Sequence, residues 1–198
     1  KFMKKLKFLD MLKLRASYGE IGNDVIGDEW DTTRRWLYMD QWETGGNIAT
    51  GLYNVASPYT FYRQKTVGYA DIHWEVVRKF NFGIDYSFLD GLFAGNIEIF
   101  RDKRSDILIS GSDRAMPSYF GGIVNAPWIN MGKVKNRGYE LELRINKTLR
   151  NSLHLWANMN MTHAVNEIIE ADDPELLPDY QKDAGKSIGQ THTYVDHG

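Results

Sequence analysis

The sequence predicts an all-β fold: an antiparallel meander of about five or six long strands forming part of a transmembrane β-barrel. Three observations carry that expectation. Five stretches alternate apolar and polar residues with period two, so each presents one apolar and one wet face. The connections between them alternate short and long, which collects the tight turns at one end of a meander. No apolar run approaches the roughly 20 residues of a membrane helix, so strands are the remaining way to cross a bilayer.

The first strand is expected over about 10–19, with Leu12, Leu14, Ala16 and Tyr18 on one face and Lys13, Arg15 and Ser17 on the other. Residues 19–24, Gly-Glu-Ile-Gly-Asn-Asp, form a turn signal. The segment that follows is rich in aromatics but poorly periodic, and is expected to be a long loop with strand extensions. The second strand, about 74–88, sets Phe80, Phe82, Ile84, Tyr86 and Phe88 against Asn81, Gly83, Asp85 and Ser87. Leu-Asp-Gly-Leu at 89–92 is a compact hairpin turn. The third strand, about 93–108, sets Ile97 and Ile99 against Asn96 and Glu98.

A loop with Pro117, Gly121, Gly122 and Pro127 leads to the clearest strand, about 133–147. There Tyr139, Leu141, Leu143 and Ile145 share one face, and Glu140, Glu142, Arg144 and Asn146 the other. After a short turn at 148–152, a fifth strand over about 153–166 alternates Leu153, Leu155, Ala157, Met159 and Met161 with His154, Trp156, Asn158, Asn160 and Thr162. An acidic loop follows, and a sixth strand is expected to begin near Ile188.

Parity then assigns the ends. The turns 89–92 and 148–152 are two strands apart and fall on one side, periplasmic in a barrel; the loops 20–73, 109–131 and 167–187 fall on the other, extracellular. The expected lipid-facing set is Leu12, Leu14, Phe82, Ile84, Tyr86, Leu141, Leu143, Ile145 and Leu155. Tyr18, Trp74, Tyr139 and Trp156 are candidates for interfacial aromatic girdles, with the lumen as the alternative for Trp156, which shares its parity with Asn158 and Asn160. The loop aromatics Trp30, Trp36, Trp42, Tyr53 and Tyr59 are candidate substrate contacts that could stack on sugar rings. Their plainer role is packing the loop against its neighbours.

Composition narrows the rest. A formal net charge of −2 offers no general attraction for nucleic acid. Zero cysteines exclude a disulfide framework and a thiolate metal site. The five histidines are dispersed, and the acidic groups Asp24, Asp28, Asp31 and Asp172, Asp173, Glu175 lack the spacing of a calcium loop, so they read as solvated acid. No catalytic residue, metal site or cofactor is therefore expected, and no enzyme.

Four motifs carry a family resemblance. Residues 12–23, Leu-Lys-Leu-Arg-Ala-Ser-Tyr-Gly-Glu-Ile-Gly-Asn, form a strand and turn; Trp74-Glu75 precedes Lys79-Phe80-Asn81-Phe82-Gly83-Ile84-Asp85. Residues 130–141 read Asn-Met-Gly-Lys-Val-Lys-Asn-Arg-Gly-Tyr-Glu-Leu, and 185–189 read Gly-Lys-Ser-Ile-Gly. In this order they resemble the C-terminal half of a SusC/RagA-type TonB-dependent outer-membrane transporter. The resemblance implies uptake of glycan oligosaccharides or peptides across the outer membrane of a Gram-negative bacterium. It also implies energy delivered through the TonB system and a SusD-like surface lipoprotein as partner. The family's N-terminal plug domain and its TonB-contacting segment have no match here. Because the chain also starts on Lys1 and stops mid-pattern at Gly198, it is expected to be an internal fragment. The competing reading is a soluble all-β carbohydrate-binding module.

Overall fold

In the computed structural model, which describes residues 8–24, 35–48, 59–116, 126–150 and 152–191, the alternating stretches pair into one antiparallel sheet. Its strands are β1 (Leu9–Asn23), β4 (Glu75–Phe88), β5 (Phe93–Ile109), β6 (Ile129–Thr148) and β7 (His154–Glu170), side by side in that order. Between β1 and β4 a separate hairpin, β2 (Gln41–Ile48) with β3 (Tyr59–Thr66), forms a two-stranded sheet of its own. The all-β meander read from the alternation is what forms.

The hairpin occupies part of the segment whose periodicity is poor. Its register shifts between Thr44 and Gly46, where Gly46 takes a φ of +105°. A bulge inserts an extra residue and resets which face the side chains take, so the period-two signal is lost across it.

At the loop end, strands run further than the alternation suggests. The turn signal at 19–24 does not end β1: Gly19 pairs with Lys79, and Gly22 with Val76. The Trp74 ring lies over Gly22, where a Cβ would sit 3.2 Å from the ring. A glycine that reads as a strand breaker is here the seat of an aromatic side chain. The sixth strand near Ile188 does not form among the described residues. Instead Gly185 N–H donates to Ile168 O (2.7 Å), Ile168 N–H to Lys186 O (2.8 Å), and Ile188 N–H to the Asn166 side-chain oxygen (2.7 Å). The glycine-rich segment folds back onto the end of β7 as a turn.

The hairpin between β4 and β5 closes in four residues, with Phe88 opposite Phe93. Leu89, Asp90 and Gly91 all take positive φ (+56°, +55°, +78°), and Gly91 N–H donates to the Asp10 carboxylate at 2.9 Å. The β6–β7 turn lies at the same end, since Asn146 N–H donates to Leu92 O at 3.0 Å. The links β1–β4, β5–β6 and the segment after β7 leave from the other end.

Cross-strand register sets the faces. Leu14 is opposite Ile84, Ile84 opposite Ile97, Ile97 opposite Leu141 and Leu141 opposite Met161. Directly opposed residues share a face, so this one row is apolar across all five strands. The rows on either side of it, from Phe88–Phe93–Ile145 to Tyr18–Phe80, belong to the same band. On β4 the band runs nine residues, from Phe80 to Phe88; a tilted strand needs about 9–11 to cross a bilayer. No described element covers it. Among the described residues only Leu37 and Ala126 are buried apolar side chains, while Leu14 is 64% exposed and Met159 54%.

Candidate functional site

The face opposite the apolar band is built from the alternate residues of the same strands. Arg15 sits at its centre. Its guanidinium bonds the Asp85 carboxylate on β4 through Nε and Nη2 (3.0–3.2 Å) and Glu98 on β5 through Nη1 (2.9 Å). Lys13 lies 4.0 Å from Asp85. One strand further, the Asn96 amide donates to Glu142 (2.7 Å), which also takes Arg144 at 3.1 Å. The row is thus stitched across four strands by charge-assisted bonds, the stronger kind. Gly83 makes the centre possible: a Cβ there would lie 3.0 Å from Arg15 Nη2 and 3.3 Å from Glu98 Cγ.

At the loop end the two faces exchange character. The charged face becomes aliphatic, with Ile21 opposite Val77 and Val134 opposite Ile168. Ile21, Val77 and Val134, together with Ile107 and Ile188, line a concavity of about 960 Å³ that also holds Lys79, Asp102, Arg104 and Asn136. The formerly apolar face becomes charged in the same rows, carrying Glu20, Arg78, Lys103, Lys135 and Glu167.

All nine residues expected to face lipid (Leu12, Leu14, Phe82, Ile84, Tyr86, Leu141, Leu143, Ile145 and Leu155) fall on one face of the sheet. Tyr18 and Tyr139 share it. Trp156, opposite Asn146, stands on the charged face and is 74% exposed. Of the loop aromatics, Trp36 and Trp42 line one concavity of about 640 Å³ with Met39, Gln41 and Lys65. Trp36 packs at a tilt against Tyr38, with centroids 6.1 Å apart. Tyr59 is opposite Ile48 at the far end of the hairpin, roughly 20 Å from Trp42 at the rise of a strand. Trp30 and Tyr53 lie outside the described residues.

The acidic loop after β7 uses its carboxylates locally. Asp172 takes Arg114 (2.6 Å) and the Ala115 N–H (2.9 Å), tying two loops together, and Asp173 takes the N–H groups of Asp183 and Ala184 (3.0 and 2.9 Å). Lys182, bonded to Asp179 at 2.9 Å, holds that carboxyl below its ordinary range. Neither Asp172 nor Asp173 is therefore a free ligand for a cation. The Arg15 cluster escapes a reading from sequence because its members are 70 and 83 positions apart. The one local sign was a glycine on the charged parity of an otherwise bulky strand.

A five-stranded meander with one bare apolar face, one interlocked charged face and strands of up to 20 residues is the form of a barrel wall. The family model described as "TonB dependent receptor-like, beta-barrel" matches residues 5–195. The chain belongs to that family. It is similar to a TonB-dependent receptor of Formosa agariphila (30% identity over all of this chain and 17% of the relative) and to the TonB-dependent receptor SusC of Bacteroides thetaiotaomicron (24% identity, 96% of this chain, 18% of the relative). Among solved structures, the RagAB peptide importer in its closed-closed state superposes with a TM-score of 0.68 at 23% identity, covering 93% of this chain and 19% of that one. The TonB-dependent receptor chain described here thus spans under a fifth of these relatives, and the structural likeness speaks for the fold.

Proposed function

We propose that this chain is a wall section of an outer-membrane nutrient importer, with its apolar face against lipid and its charged face toward the lumen. One observation carries the reading: register gathers the apolar strand positions into a single face about one bilayer tall that no described element covers, and charge begins where that face ends. A soluble carbohydrate-binding module would need its own chain to cover that face. On the membrane reading the tight turns are periplasmic and the long connections extracellular. The TonB system supplies the energy and a SusD-like lipoprotein sits over the loops. The cargo is a glycan oligosaccharide or a peptide, supported by the likeness to SusC and to the RagAB peptide importer.

Labelling of intact cells tests the orientation. Leu176, 97% exposed in the loop after β7, and Arg150 in the β6–β7 turn are the sites to use. In the full-length protein, Leu176→Cys is expected to react with a membrane-impermeant maleimide and Arg150→Cys only after the outer membrane is breached. The reverse pattern inverts the topology, and reaction of both in a soluble fraction ends the barrel reading.

Substrate contact falls on the hairpin concavity rather than on Tyr59, because among the described residues two tryptophans line it together. Aromatic packing of this kind is worth about 0.5–1.5 kcal/mol per pair, so Trp36→Ala with Trp42→Ala is expected to weaken cargo affinity about fivefold or more with barrel assembly unchanged. Unaltered affinity in a well-assembled double variant would leave both rings as loop packing.

A further inference from the structure

Two rows of the outer face lie at the loop-side edge of the apolar band. The first runs Tyr18, Phe80, Arg101, Arg137, Val165; the second, one step nearer the loops, runs Glu20, Arg78, Lys103, Lys135, Glu167. Toward the sheet's flanks the cations are matched: Arg78 bonds Glu20 at 2.9 Å and Lys135 bonds Glu167 at 2.6 Å. The central three are not. Arg101, Lys103 and Arg137 are exposed and take part in no ion pair among the described residues. Arg101 and Arg137 are direct cross-strand partners, and Lys103 follows two residues on along the same face. Like charges so placed repel and destabilise a sheet unless an anion lies between them. Just beneath them are Ile99 and the tilted Tyr139–His163 ring pair (centroids 5.4 Å), the start of the apolar band. Among the described residues, the tight-turn edge of the same face holds one cation, Lys147, opposite Leu155.

We infer that Arg101, Arg137 and Lys103 form a binding site for the phosphate of an anionic lipid headgroup in the leaflet at the loop end of the barrel. The inference rests on the barrel reading. Two guanidinium forks and an ammonium can share the oxygens of one phosphate, which removes the repulsion between the opposed arginines. A free phosphate satisfies the same cations but has no acyl chains for the apolar surface directly below them. The lipid ligand uses both.

The test uses the full-length protein in non-ionic detergent, titrated with diphosphoryl lipid A, with inorganic phosphate in a parallel arm, and binding read by native mass spectrometry. Heat-modifiable migration on a gel reports assembly in the same samples. A cation at an anionic lipid surface contributes about fivefold in binding, so Arg101→Gln with Arg137→Gln is expected to lose about 25-fold. Lys147→Gln, at the opposite edge, is expected to bind as the parent does. Millimolar inorganic phosphate should not displace the lipid. Parent-like binding by the assembled double variant overturns the inference, as does equal loss in Lys147→Gln or full displacement by inorganic phosphate. So does a change in oligomeric state without a change in lipid binding, which would make the cluster a protein contact. A parent protein that is not heat-modifiable and partitions as soluble overturns the barrel reading and this inference with it.

Discussion

Leu143→Arg is expected to prevent most of the full-length protein from assembling in the outer membrane, whereas Glu140→Arg on the same strand is expected to assemble normally. Leu143 lies within the apolar band, opposite Gly95 on β5 and Met159 on β7. A cation at the midplane of a barrel's lipid face costs about 2–4 kcal/mol, a large share of what holds one barrel together. Glu140 stands on the other face, opposite Glu98 and Thr162. An arginine there replaces a like-charge pair by an attractive one, so the backbone and the band are undisturbed. Heat-modifiable folded protein in the membrane fraction measures both. Equal yields of the two variants would mean that the faces are assigned the wrong way round.

Arg15→Ala is expected to lower the urea midpoint of the assembled barrel, because its partners lose a charge-assisted donor. Two carboxylates lose their shared cation, and each is only 21% exposed, so water replaces it incompletely. Asp85→Asn alone should cost less, because the Asn amide oxygen still accepts from Arg15. In the double variant the combined loss should fall short of the sum of the two single losses, as for groups in one network. Urea unfolding of the barrel refolded in vesicles measures the cycle. Strict additivity would mean that Arg15 and Asp85 act independently, and that the contact has no energetic weight.

Period-two alternation made the five long strands legible, because a strand with one apolar face writes its pattern locally. The same logic assigned Leu143 and Glu140 to opposite faces without any partner strand being known. It failed where the local pattern misleads. Gly19 and Gly22 read as a turn, yet both lie inside β1, and at Gly22 the space over the backbone is taken by the Trp74 ring more than fifty residues away. Gly185 to Gly189 read as the entry to a strand, yet Gly185 N–H, Lys186 O and Ile188 N–H bond Ile168 and Asn166 at the end of β7 instead. The β2–β3 hairpin was hidden by its own bulge at Gly46.

For this protein, then, sequence alone determined the class of fold, the chain's sorting into apolar and charged strand positions, and the family its ordered motifs resemble. These follow from properties a strand carries by itself: side chains alternate, and solvent or lipid sorts them. Which residues meet was decided only by tertiary structure. Arg15 meets Asp85 and Glu98, Arg101 faces Arg137, and Trp36 joins Trp42 while Tyr59 does not. Each of these depends on register between segments far apart in the chain. A slip of a single residue turns a strand's side chains to the opposite face, and a slip of two keeps the faces but changes every partner. Alternation cannot distinguish the second case, so the ion-pair network and the cation cluster became visible only when the strands were paired.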